Sequence, residues 1–114
     1  MNTEQFYQVI GGNYAETMGR FVTEERVLRF VRKFPADGSF ATLKSSLAAG
    51  SQEEAFRAAH TLKGVAQNLG FNALFEKAAQ VTDILRGGSM EVSTQMEELE
   101  QLYRLTVDAI AALD

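Results

Sequence analysis

Apolar residues in this chain recur three and four apart between glycine or proline stops, and no stretch alternates with period two for long enough to build a sheet. Thr3 can cap a short helix that stops at Gly11-Gly12. A second helical stretch runs from Tyr14, with a break near Thr23, to Phe34. Pro35 follows and disfavours helical geometry at the residue before it. Val27 with Val31, and Phe30 with Phe34, are each four apart and give that stretch one apolar face. Ser39 starts a shorter helix that carries Leu43 and Leu47 and ends at Gly50. Ser51-x-x-Glu54 is a capping box, in which each side chain satisfies an orphan N–H of the helix it opens. That helix runs to about Leu69, with Gly70 placed to take the left-handed closing conformation. Asn72 can cap the next helix, which carries Leu74, Phe75, Ala78, Val81 and Leu85 before Gly87-Gly88. Thr94-x-x-Glu97 is another capping box, opening a last helix with Met96, Leu99, Tyr103, Ile110 and Leu113. The fold expected is all-α: an antiparallel four-helix bundle with short extra helices near the N-terminus, in a single domain over residues 1–114. The mobile loop is expected between Gly87 and Ser93.

Composition removes several classes of function. A chain of 114 residues can bury one core without disulfide or metal staples. There is no cysteine, hence no disulfide framework and no thiolate metal site. That fits a reducing compartment. No run approaches the roughly 20 apolar residues of a membrane span, and Met1-Asn2-Thr3-Glu4-Gln5 lacks the pattern of a secretion signal. A formal net charge of −4 argues against nucleic acid, which wants a basic surface. The expectation is a soluble, monomeric cytoplasmic domain that binds neither nucleic acid nor membrane.

The only histidine, His60, lies in the helix opened by Ser51. At roughly 100° per residue, Ala55, Ala58, Ala59, Leu62, Val65, Ala66 and Leu69 fall in one core-facing stripe, with His60 almost opposite its middle. Lys63, Gly64 and Gln67, at i+3, i+4 and i+7, share the face of His60, and Phe56 and Arg57 sit one turn earlier on the same side. A lone histidine is more often structural, but this orientation points away from the core. A mid-helix glycine costs about 1 kcal/mol relative to alanine, so Gly64 marks either close approach of another group beside His60 or tight packing on a neighbouring helix. Phe56 either packs within the bundle or forms an apolar patch that a partner covers. Lys63 and Arg57 read as solvated charges, and beside a phosphorylated histidine Lys63 could neutralise phosphoryl oxygens.

His60-Thr61-Leu62-Lys63-Gly64, followed by Asn68-Leu69-Gly70-Phe71, resembles the signature of histidine-containing phosphotransfer (HPt) domains of bacterial and fungal phosphorelays. The Gly11-Gly12-Asn13-Tyr14 opening and the aromatic-rich stretch from Phe30 to Phe34 resemble HPt domains that occur as separate small proteins, here of the bacterial type. The resemblance implies that His60 is phosphorylated, that Lys63 lies near the phosphoryl group and that Gly64 gives the partner access. It implies a partner surface of Phe56, Arg57, Gly64 and Gln67. Family members often place Gln or Glu where this chain has Thr82, to bond the second imidazole nitrogen. Thr82 is thus the candidate for imidazole support, with Gln67 or a water as substitutes.

Neutral imidazole is a competent nucleophile near pH 7, and in-line phosphoryl transfer depends mostly on positioning and charge neutralisation. The resemblance implies a phosphorelay carrier, not an ATP-dependent kinase. Its partners would be receiver domains of response regulators or hybrid histidine kinases, which bring Mg²⁺ and a lysine of their own. The chain has no P-loop and no glycine-rich nucleotide fingerprint, and no cofactor or metal is expected on it. Two other readings stay open: a module that docks receivers without phosphotransfer, and a plain helical interaction domain. A hydrolase is poorly supported, because the carboxylates are scattered and there is no second histidine or cysteine.

Overall fold

The computed structural model describes every residue from Met1 to Asp114. It is all-α, as the spacing predicts, with α1 (Thr3–Ile10), α2 (Tyr14–Phe21), α3 (Glu24–Lys33), a 3₁₀ turn (Phe34–Ala36), α4 (Ser39–Ala48), α5 (Gln52–Leu69), α6 (Asn72–Arg86) and α7 (Ser93–Ala111). The last four helices form the bundle, with α5 packed between α4 and α6, and α6 on α7. The ring closes between α4 and α7, where Phe40 stacks on Tyr103 at 4.3 Å and Lys44 pairs with Glu100 at 2.5 Å. Gln52, at the start of α5, donates to the Leu85 carbonyl near the end of α6, as antiparallel neighbours require. One core of 23 buried apolar residues runs through the molecule, and α1 contributes Phe6, Tyr7 and Ile10 to it. No helix is long and apolar enough to cross a membrane.

Several boundary signals act differently from their sequence reading. Asn2, not Thr3, caps α1: its Oδ1 accepts from Gln5 N at 2.8 Å and Gln5 Oε1 accepts from Asn2 N at 3.0 Å, while Thr3 is buried. Ser51 does precede α5, but its side chain makes no cap bond. Its own N–H already donates to Ser46 O at 2.9 Å, so Glu54 has no orphan to satisfy there. Phe71 and Val92, both buried, occupy the N-cap positions of α6 and α7, which makes Asn72 the first helical residue and puts Thr94 inside the first turn. Burial of an apolar anchor sets these two starts. Phe34 keeps helical backbone angles (φ −56°, ψ −43°) despite Pro35, and the proline itself falls in the first turn of the 3₁₀ segment, where its missing N–H has no helical partner to lose.

The break near Thr23 is present. Thr23 caps α3 by accepting from Arg26 N at 3.2 Å, and Val22 before it sits at φ 74°. The apolar face of α3 is narrower than the spacing implies: Val27, Val31 and Phe34 are buried, but Phe30 is 40% exposed. In the loop between Gly87 and Ser93, Val92 lies in the core and Ser89 Oγ accepts from Glu91 N at 3.1 Å.

Candidate functional site

Helix α5 turns its alanine-rich stripe inward. Ala55, Ala58, Ala59, Leu62, Ala66 and Leu69 are buried and Val65 is half-buried. On the opposite side His60, Arg57, Gly64 and Gln67 are exposed, and Phe56 and Lys63 are half-exposed. A Cβ built on Gly64 would meet nothing within 4 Å. Packing on a neighbouring helix therefore does not account for this glycine. The helix bears the cost of about 1 kcal/mol at a point open to solvent, one turn from the imidazole.

The charged neighbours divide. Arg57 is held by Glu53 at 2.5 Å, whereas Lys63 takes part in no ion pair. Phe56 lies one turn before His60 with its ring near-parallel to the imidazole, centroids 6.1 Å apart. Over Phe56 sits the guanidinium of Arg86, 5.6 Å from the ring centroid, with its own Nη1 bonded to Asp83 at 2.7 Å. Arg86 thus borders the His60 face, and the sequence pattern carries no sign of it. Only the antiparallel register of α5 and α6, which brings the end of α6 beside the start of α5, could have pointed to it.

Thr82 does not reach His60. It is wholly buried, and its hydroxyl donates to Ala78 O at 2.7 Å within its own helix. A short side chain facing the core cannot stand in for a Gln or Glu that extends over the helix surface. The Gln67 side chain makes no hydrogen bond either, so the imidazole is presented without a protein partner.

The far end of α5 is anchored by the N-terminal helices. Gly70 closes the helix at φ 73°, with Phe71 N donating to Ala66 O at 2.9 Å. The carbonyls left over are satisfied from outside: Tyr7 Oη and Thr17 Oγ1 donate to Leu69 O at 2.7 and 3.2 Å, Arg20 donates to Gln67 O and Asn68 O, and Asn13 N donates to Gly70 O at 2.9 Å. Burial pushes the Tyr7 phenol up to about 12, an effect opposed by its hydrogen-bonding neighbour Thr17 and by Arg20.

Nowhere do three or more histidine, aspartate or glutamate side chains gather in a way that could hold a metal ion. What the fold displays is a single imidazole on the outer face of the second bundle helix, flanked by a free lysine, an open glycine and an arginine-capped phenylalanine. A four-helix bundle with that one reactive group is a domain of the histidine-phosphotransfer class. The chain belongs to the Hpt domain family, whose model matches residues 34–113, from the 3₁₀ turn through α7. No curated protein and no solved structure matches the chain. Hpt domains are phosphocarriers of two-component signalling that work with receiver domains, and they are not kinases.

Proposed function

We propose that this protein is a phosphorelay carrier in which His60 accepts a phosphoryl group from the phospho-aspartate of one receiver domain and passes it to another. The observation that carries this reading is the exposure of His60 beside Gly64, where the helix face is open for a partner to approach. In the step itself the lone pair of the neutral imidazole attacks phosphorus. A P–N bond forms as the P–O bond to the aspartyl group breaks, and the aspartate leaves as a carboxylate with the bonding pair. The imidazolium so formed returns to neutrality by releasing its ring proton to water. Lys63 and Arg86 supply positive charge to the phosphoryl oxygens, while Phe56, Arg57, Gly64 and Gln67 meet the receiver. Mg²⁺ belongs to the receiver, and the carrier, a cytoplasmic monomer, needs no cofactor of its own.

The test is to phosphorylate a panel of receivers from the same organism, add the protein and follow the label. Label should leave at least one receiver and appear as acid-labile phosphate on the wild type, and none should appear on a folded His60→Gln variant. Equal transfer to wild type and variant would sink the proposal. Receiver binding without label on either protein would assign the docking-module reading instead.

A further inference from the structure

The outward face of α3 is not used by the fold. Arg26, Arg29, Phe30 and Lys33 fall within a sector of about 100° around the helix axis, and all four are exposed. The Phe30 ring rests on Phe21 at 5.0 Å, with the Lys33 ammonium 5.4 Å from its centroid. Arg26 and Lys33 have no ion pair, and Arg29 has only a loose one, to Glu25 at 3.8 Å. The fourth cation, Arg32, is turned aside to the Asp114 carbonyl. The two carboxylates of α3, Glu24 and Glu25, are both confined to its first turn. A chain with a formal net charge of −4 thus places two unpaired cations and a loosely paired one around one exposed phenylalanine.

This face is continuous with the His60 face. Phe30 and Lys33 line a groove together with Val65 and Asn68 of α5. Those two residues follow His60 by five and eight positions, or roughly 8 and 12 Å along the helix. The one carboxylate in the groove, Asp37, is engaged by the Ser39 amide at 2.9 Å. A standard interface covers about 800 Å² on each partner, equivalent to a disc of about 16 Å radius. A receiver seated over His60 extends across the groove.

Resting on the carrier reading, we propose that the α3 face is a second contact for the same receiver, with Phe30 as apolar anchor and Arg26, Arg29 and Lys33 facing an acidic rim. A receiver that holds Mg²⁺ beside a phospho-aspartate presents its oxygen ligands, chiefly carboxylates, at the site that faces His60. Continuity of the groove with the His60 face is what points to the same receiver, and the acidic rim is what the charge variant tests. Because α3 precedes the matched residues 34–113, the contact selects the partner and leaves the transfer chemistry to α5. Cations at the edge of an interface act mainly on the rate of encounter and on its salt dependence.

The experiment compares wild type with Phe30→Ser and with Arg26→Glu/Arg29→Glu/Lys33→Glu, using the phosphorylated receiver that the panel assay identifies. Both variants should stay helical and folded by circular dichroism, Phe30→Ser melting somewhat lower because its ring packs on Phe21. Phosphorylation of His60 by phosphoramidate, a donor that needs no docking, should match wild type for both. The second-order rate of transfer at low salt should fall about tenfold or more in the charge variant, and its dependence on ionic strength should flatten. Phe30→Ser should lower the rate without changing the salt slope. Wild-type rates and salt slopes in both variants would overturn the inference and leave the carrier reading standing. Loss of self-association in sedimentation, with transfer intact, would assign the face to a second copy and equally overturn it. A wild type that takes phosphate from phosphoramidate but from no receiver would bring down the carrier reading first, and this inference with it.

Discussion

The Tyr7 hydroxyl donates a 2.7 Å hydrogen bond to the Leu69 carbonyl, and so joins the first helix to the end of the helix that carries His60. Thr17 Oγ1, whose single proton goes mainly to Asn13 O at 2.7 Å, also lies 3.2 Å from Leu69 O and can turn its proton to it once the Tyr7 hydroxyl is removed. Tyr7→Phe therefore leaves the carbonyl satisfied and should cost only about 1 kcal/mol. Tyr7→Phe combined with Thr17→Val strands it in the core and should cost more than the sum of the two. Urea unfolding of the single and double variants measures the difference.

That bond also has a pH signature. Burial raises the Tyr7 phenol from 10.0 to about 12 in the folded state, so the folded protein holds this proton after the unfolded chain has released it. The stabilisation is complete below pH 10 and is lost as pH rises through the folded value. Two units correspond to roughly 2–3 kcal/mol. Wild-type stability should fall between about pH 10 and 12. The fall should be shallower in Tyr7→Phe, and equal slopes would contradict the assignment.

Two glycines of the His60 region should respond in opposite directions to alanine. At Gly70 a Cβ would lie 1.8 Å from Thr17 Oγ1, on a backbone with φ 73°. Gly70→Ala should destabilise the fold by about 3 kcal/mol or more. At Gly64 a Cβ meets nothing, so Gly64→Ala should stabilise the protein by up to about 1 kcal/mol while slowing phosphoryl transfer from a receiver. Thermal melts and transfer rates on the same preparations read both effects. A Gly64→Ala variant that transfers at the wild-type rate would remove the argument for partner access.

The glycines that end helices were legible because each answers to a purely local constraint: Gly11, Gly50, Gly70 and Gly88 all adopt positive φ. The orientation of His60 was legible for a similar reason, since helical period alone fixes which residues oppose a stripe of alanine and leucine. Helix starts were less legible. Phe71 and Val92 begin α6 and α7 because the core holds them, and a local pattern such as Thr94-x-x-Glu97 carries no record of that. Phe30 and Arg86 were hidden by the same cause. The place of one depends on how α3 rolls against α5, and that of the other on the register between α5 and α6. The absence of a bond from Thr82 to His60 is likewise a matter of which way a buried face points.

The capping difference can be measured. Asn2→Ala removes the Oδ1 that accepts from Gln5 N, leaving the backbone half of the box in place, and should cost about 1 kcal/mol. Ser51→Ala and Thr94→Ala, whose side chains make no cap bond, should stay within about 0.5 kcal/mol of wild type. Parallel urea melts decide it, and a large loss at Ser51 would mean that its hydroxyl caps α5 after all.

Arg86 provides the sharpest separation of stability from function. Its ion pair with Asp83 is exposed on both sides, and such pairs contribute about 0–1 kcal/mol. Arg86→Ala should therefore melt close to wild type. If the guanidinium over Phe56 serves the phosphoryl group arriving at His60, the same variant should accept phosphate from a receiver about tenfold more slowly, the scale of one charge-assisted hydrogen bond. Arg86→Lys, which keeps the charge but loses the guanidinium that lies over Phe56, should fall between the two. Asp83→Asn frees the guanidinium and should leave transfer at or above the wild-type rate. Undiminished transfer by Arg86→Ala would reduce Arg86 to a surface charge and leave Lys63 as the one cation serving His60.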